Sequence, residues 1–448
     1  MSRSLLLADA ELVATMDEGL GEIPGGSVLV EDGRILAVGR DLAAEGAERI
    51  DLAGCVLLPG LVNTHHHFYQ TLTRAVPAAQ DADLFRWLET LYPIWARLTP
   101  EMIRVSTTTA MLELLLSGCT TTSDHLYVFP DGVTLDDSLE AAAALGMRFH
   151  ATRGAMSVGR SRGGLPPDEL VEGEEAILAD MARVVDRWHD PADGALLRVA
   201  LAPCSPFSVS RELMRDTAAL ARDRQVMLHT HLAENASDVA YSREKFGCTP
   251  AEYAAELGWL GPDVWHAHCV QLDAPGIAAF ARTRTGVAHC PCSNMRLASG
   301  IAPVRAMLDA GVSVGLGVDG SASNDAGHLL AEARQALLLA RVAGDPAGLS
   351  ARAVLRLATA GGAAVLGRHD IGSLVPGKEA DLAAFRIDGI AQAGALHDPL
   401  AALVFGQPGN AWYTIVKGRA LVAEGRPTGV DLAAHVRHHN ALARSLLG

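Results

Sequence analysis

The sequence predicts an α/β protein: a closed (β/α)8 TIM barrel with a small β-sandwich domain assembled from both ends of the chain. Two observations lead there. Between residues 59 and 365, short apolar runs alternate with segments long enough to hold helices; the runs lie at 61–65, 119–124, 147–153, 197–203, 226–231, 264–268, 286–290 and 312–318. On either side of that stretch the texture changes to strands joined by tight turns. A doubly wound open sheet is the competing architecture for the middle.

The flanks come first. Ser27 to Glu31, then Asp32-Gly33, then Arg34 to Val38 is a hairpin signal, because Asp-Gly accepts the positive φ of a two-residue turn. Near the other end, Asp381 to Phe385 and Trp412 to Val416 are strand-like, and Lys417-Gly418-Arg419 forms a turn before Ala420-Leu421-Val422. Residues 1–58 and 366–448 are therefore expected to form one composite β-domain around a 59–365 barrel. Within the barrel, Thr99 can cap a helix that starts with Pro100-Glu101, carries Met102, Ile103, Val105, Met111, Leu112 and Leu115, and stops at Gly118. Asp431 to Leu447 reads as a surface or packing helix.

Composition narrows the function. The chain has 448 residues, a hydrophobic fraction of 49% and a net charge of −15, with no long basic run. A polynucleotide partner needs a basic footprint, so it is excluded. No apolar run is long enough to span a bilayer. The start, Met1-Ser2-Arg3-Ser4-Leu5-Leu6-Leu7-Ala8-Asp9, meets an acid too early for a signal peptide. Seven cysteines scattered through the chain make no disulfide framework, and a cytoplasmic location is expected. Cys290-Pro291-Cys292 is one residue short of the usual zinc Cys-x-x-Cys and reads as structural.

Chemistry gathers where the apolar runs stop. His65 and His67 alternate on a strand and so share a face, whereas His66 turns away to pack. His229 and His231 repeat that spacing, and Glu234 selects His231 by standing three residues beyond it. His268 ends the sixth run, with His266 the weaker candidate, and Asp319 ends the eighth. Strand C-terminal ends converge on one face of a parallel barrel, so these residues can meet. Three imidazoles and a carboxylate suit zinc, with iron or manganese as alternatives. A second, lysine-bridged metal is excluded at the fourth strand, because no lysine precedes Lys245. One metal per subunit is expected.

Pro59 to His67, His231 to Glu234, His268-Cys269 and Gly317 to Ser321 together resemble the motifs of the amidohydrolase superfamily, in its cytosine/guanine deaminase and triazine hydrolase branch. The resemblance spans nearly the whole chain. It implies that His65, His67, His231 and Asp319 bind zinc, that Glu234 shuttles protons, and that His268 orients water and substrate. Asn63 to Ala75, Ala202 to Ser208 and His289 to Arg296 are similar to bacterial 8-oxoguanine deaminases, and also to proteins called hydroxydechloroatrazine ethylaminohydrolases. The implied reaction is deamination of a free oxidised purine, 8-oxoguanine to urate and ammonia. Hydrolysis of an s-triazine, or deamination of guanine or a pterin, stands beside it. Some barrels of this kind have become assembly proteins, but those lose metal ligands that are present here. A homo-oligomer is implied by resemblance alone.

Other pocket contacts are open at this level. Gln70 either pairs with a purine carbonyl or ring N–H, or caps loop backbone. Arg153 either binds a substrate carbonyl or forms a rim salt bridge. His125 and Cys204 sit at strand ends near the pocket. Trp87 and Tyr92 cover it or belong to the core, and His289 is expected to support the site.

Overall fold

The computed structural model describes residues 4–448. The opening Met1-Ser2-Arg3 of the N-terminal stretch read above lies outside the described residues. Eight parallel strands close into a barrel: Leu61–Asn63, Cys119–Leu126, Arg148–Ala155, Leu197–Pro203, Leu228–Leu232, Val264–His268, Gly286–His289 and Val314–Leu316. Each lies on one of the expected apolar runs. The ring closes where Leu316 pairs with Asn63. Helices cover its outside, among them Pro100–Leu116, Glu174–Trp188 and Leu329–Val342. No helix among the described residues is long and apolar enough to cross a membrane.

The local signals act as physical chemistry requires. The Thr99 hydroxyl accepts a hydrogen bond from the Met102 N–H, and Pro100 opens the helix. Ser117 is its C-cap and Gly118 follows at φ +89°, which ends it. The Asp431 carboxylate caps the final helix, Leu432–Leu447.

Strands from both ends of the chain build the second unit, a nine-stranded sheet. Its strands include Ser4–Ala14, Glu22–Glu31, Arg34–Gly39 and Cys55–Pro59 from the front, and Leu382–Arg386, Tyr413–Val416 and Arg419–Ala423 from the back. The sheet folds over on itself. Its two extremes meet at the Asp32-Gly33 and Lys417-Gly418 turns, where a Cβ on Gly33 would stand 2.9 Å from the Lys417 carbonyl oxygen. Gly33 also has φ +81°, so both space and conformation require glycine. Leu5, Leu7, Val28, Leu57, Leu382 and Ile415 fill the core between the layers.

A buried ion-pair group welds sheet to barrel. Arg148, at the start of the third barrel strand, places its Nε 2.9 Å from Asp381 Oδ2 and its Nη2 3.0 Å from Asp381 Oδ1. Its Nη1 donates to the carbonyls of Gly194 and Ala195.

Candidate metal centre and pocket

The first, fifth, sixth and eighth strands deliver the polar cluster at their C-terminal ends. His65 Nε2 and His67 Nε2 each lie 3.2 Å from Asp319 Oδ1, and His67 Nε2 lies 3.1 Å from His231 Nε2. All are buried. Ligating atoms of His65, His67 and Asp319 fall within 4.8 Å of one another, as do those of His65, His231 and His268.

Neighbours fix which nitrogens carry hydrogen. Carbonyls only accept, so His67 Nδ1–H donates to His125 O (2.7 Å) and His231 Nδ1–H to Cys204 O (2.6 Å). His229 Nδ1–H donates to Trp265 O, which leaves His229 Nε2 to accept from His65 Nδ1–H at 2.8 Å. Each Nε2 of the three imidazoles is therefore a bare lone pair. Those of His65 and His67 meet at a carboxylate oxygen that has no hydrogen-bond partner of its own, that of His231 abuts His67, and His65 Nε2 has no partner either. Lone pairs crowded this closely repel unless a cation lies among them. Three imidazole nitrogens and one carboxylate oxygen are a donor set that zinc accepts, so the residues present fit the ion. The outer hydrogen bonds orient them for it.

Backbone strain helps aim the side chains. Asp319 (φ +61°), His268 (φ +72°) and Ala233 (φ +51°) all adopt the left-handed region, which is costly for residues with a Cβ. After Ala233 the chain turns so that the Glu234 N–H bonds Asp238 Oδ2, and its carboxylate faces His268 with Oε2 3.6 Å from Nε2. Asn294 Oδ1 accepts from His268 Nδ1 at 3.0 Å. The Ser293 and Ser323 hydroxyls both donate to Asp319 Oδ2.

The two carboxyls are pushed apart. Burial, reinforced by the Asp319 and Asp238 charges, raises Glu234 well above the usual carboxylate range. Asp319 instead faces the bare Nε2 atoms of His65 and His67, so the cation that this cluster calls for is also what keeps its carboxylate charged. One acid is thus disposed to hold a proton and the other to stay charged, which is the division that acid–base chemistry needs.

A narrow cavity opens on this cluster, bounded by His67, Gln70, Trp87, Tyr127, Cys204, Phe207, Glu234 and His268 among others. Gln70 caps loop backbone, one of the two roles expected of it, and also lines the cavity. Its Oε1 accepts from the Ala322 N–H at 3.2 Å, and its side chain lines the cavity. Trp87 and Tyr92 line the wall while remaining buried.

The structure does not bring Arg153 into this cavity. Its guanidinium points outward to the helix layer, 2.8 Å from Glu172 Oε1 and 2.6 Å from Asp180 Oδ2, and packs over Phe129. The reason is strand parity. His150 and Thr152 face the barrel interior, so Arg153 must face out. His289 also faces away, into a separate hollow, and touches none of the cluster with its side chain. His125 lies beside His231, with ring centroids 4.8 Å apart, and acts through its carbonyl on His67. His66 packs against Phe68, as expected. Tyr127, Phe207 and Asn294 escaped sequence reasoning. Asn294 and Phe207 did carry a signal, as parts of the His289–Arg296 and Ala202–Ser208 motifs.

A parallel barrel with imidazoles, a carboxylate and a proton-holding glutamate at one strand end defines the class of metal-dependent barrel hydrolases. The chain belongs to the amidohydrolase family, whose model matches residues 56–421. An 8-oxoguanine deaminase of Pseudomonas aeruginosa is 48% identical to it, over 94% of this chain and 95% of its own length. A hydroxydechloroatrazine ethylaminohydrolase of Pseudomonas sp. strain ADP is 38% identical, over 91% and 88%. Among solved structures, a zinc complex of atrazine chlorohydrolase from Arthrobacter aurescens TC1 matches with a TM-score of 0.95 at 36% identity, covering 98% of this chain and all (100%) of the other.

Proposed function

We propose that this protein is a zinc-dependent deaminase that hydrolyses 8-oxoguanine to urate and ammonia. The observation that carries the reading is the buried Glu234 carboxyl facing His268 beside a ready donor set. The 48% identity to an 8-oxoguanine deaminase over nearly the full length supports the choice of ring. In this reading His65, His67, His231 and Asp319 hold one zinc ion per subunit, and Gln70 contacts the base. Residues 59–365 form the catalytic barrel, and 1–58 with 366–448 the composite β-domain. The seven unpaired cysteines support a cytoplasmic setting, and a homo-oligomer is taken over from the family.

Zinc supplies the Lewis acidity that lets water ionise near neutral pH. Asp319, kept charged, accepts a hydrogen bond or a proton from that water. Glu234 carries a proton to a ring nitrogen, which makes the amine-bearing carbon easier to attack. His268 stands between the two carboxylates, 3.6 Å from Glu234 Oε2 and 3.9 Å from Asp319 Oδ2, and orients both water and the new oxygen. A C–O bond forms and the C–N bond to the exocyclic amine breaks. Glu234 returns a proton to that amine so that it leaves as ammonia.

The test is parallel turnover of 8-oxoguanine, guanine and N-alkyl hydroxytriazines by zinc-loaded protein, following urate, ammonia and alkylamine. The expected result is urate with equimolar ammonia, at the highest kcat/KM of the set. Preferential alkylamine release would transfer the assignment to s-triazine hydrolysis, which the 38% identical ethylaminohydrolase supports as the second reading.

A further inference from the structure

The opposite mouth of the barrel carries a second polar cluster that the deaminase chemistry does not use. His150 and Arg198 are paired residues on the third and fourth strands, so their side chains stand next to each other at the N-terminal end. Both line an open hollow, together with His189, Met227 and Gly367. A core layer of Val62, Ala200, Trp265 and Ala288 separates it from the metal centre.

The donors here lack acceptors. His150 is 3% exposed, and neither of its ring nitrogens has a hydrogen-bond partner. Arg198 Nε is buried and also unpartnered. The Arg198 Nη groups make only long contacts, 3.3–3.4 Å, to the carbonyls of Pro191, Ala192 and Gly367. Its neighbours differ: Arg148 is paired with Asp381, and Arg368 with Asp370. Among the described residues no carboxylate lies within ion-pair distance of Arg198. Asp263, at the rim, is taken by Arg222 at 3.1 Å. Burial and the adjacent Arg368 charge press on the Arg198 cation by more than the Asp370 and Asp193 carboxylates, which lie beyond ion-pair distance, relieve it.

We infer that this mouth binds a small oxyanion, with the Arg198 guanidinium and the His150 imidazole as its donors and inorganic phosphate or a small carboxylate as occupant. A guanidinium can donate twice to such an anion, and the half-buried setting strengthens the bond. The site lies at the strand end remote from the metal and adds to, rather than depends on, the proposed deaminase activity.

Titration of the zinc-loaded protein by calorimetry tests this, with inorganic phosphate, acetate and a chloride control at matched ionic strength. Saturable binding of phosphate, acetate or both is expected, and which of them binds identifies the source of the anion. Arg198→Gln and His150→Phe should each weaken that binding at least tenfold while kcat/KM stays within about twofold. Binding unchanged by both variants would place the anion at the metal centre and overturn the site, as would no saturable binding. Should either variant fold poorly, selenate soaked into crystals of the unaltered protein gives an independent reading. An anomalous peak beside Arg198 supports the site, and peaks only elsewhere refute it.

Discussion

At the C-terminal ends of the barrel strands, bare nitrogen lone pairs and carboxylate oxygens crowd together, whereas at the N-terminal ends a guanidinium and an imidazole lie short of acceptors. Both clusters are buried, and both are incomplete in one direction. The upper one calls for a cation and the lower one offers its donors to an anion, because leaving several polar groups unpaired in a protein interior costs kcal/mol for each. The supports also differ. Every ligand at the upper end is steered by a second hydrogen bond, such as His65 by His229 and His231 by the Cys204 carbonyl. At the lower end, Arg198 is held only by long contacts to carbonyls. The comparison separates a site built to fix geometry from one built to hold charge.

The largest effect is expected at the upper end. Glu234→Gln keeps the shape of the side chain but cannot move a proton. Turnover should fall by about 10³-fold, within the usual range for a general acid–base. Metal content, read by atomic absorption, should stay at one ion per chain. A variant that retains turnover within tenfold of the parent would remove Glu234 from the proton path.

The lower end should answer to charge removal in a contrasting way. Arg148 is fully buried and paired with Asp381, so Arg148→Met strands a buried carboxylate. It should cost about 3–5 kcal/mol in urea unfolding. Arg198→Met removes a cation that has no carboxylate, and without added anion it should change stability by less than about 0.5 kcal/mol or raise it. Equal losses in the two variants would mean that Arg198 has a structural partner after all.

How much of this contrast was legible in the chain depends on whether the signal is local. His65 and His67 announce themselves by two-residue spacing, and Glu234 by its distance from His231. The eight runs, with the Asp32-Gly33 and Lys417-Gly418 turns, carried the architecture for the same reason. Arg153 misled because the run Phe149 to Arg153 does not say which parity faces inward. Only the closed barrel, with His150 against Trp265, decides it. Tyr127 and Phe207 reach the cavity from loops whose course depends on packing. The pairing of His150 with Arg198 exists only through strand register, which no short motif encodes. His229 falls between these cases. It was visible as a histidine, but its use as the support of His65 depends on the Trp265 carbonyl from the neighbouring strand.

That support can be tested separately from the ligands. His229→Gln should lower metal affinity and activity together by about 10–100-fold, the usual cost of losing an outer hydrogen bond to a ligand. Competition with a zinc chelator measures the first and steady-state turnover the second. Loss of activity at unchanged metal affinity would show that His229 acts on the reaction and not on the ligand.

The smallest expected effect is a pH dependence at the lower end. Burial alone would raise the Asp370 carboxyl, but the Arg368 guanidinium, the Gly194 N–H and the Arg148 charge hold it well below the usual range. A carboxyl depressed in the folded state contributes stability that is complete above its unfolded pKa, about 3.9, and fades as pH falls toward the folded value. Asp370→Asn should therefore be less stable than the parent at pH 7, and the difference in urea midpoint should shrink below about pH 4. A gap that stays constant or widens on acidification would mean that the carboxylate charge is not what Asp370 contributes. The same variant leaves Arg368 without its counter-charge beside Arg198. It should therefore bind phosphate more tightly than the parent at pH 7, which ties the lower mouth's affinity to its unpaired positive charge.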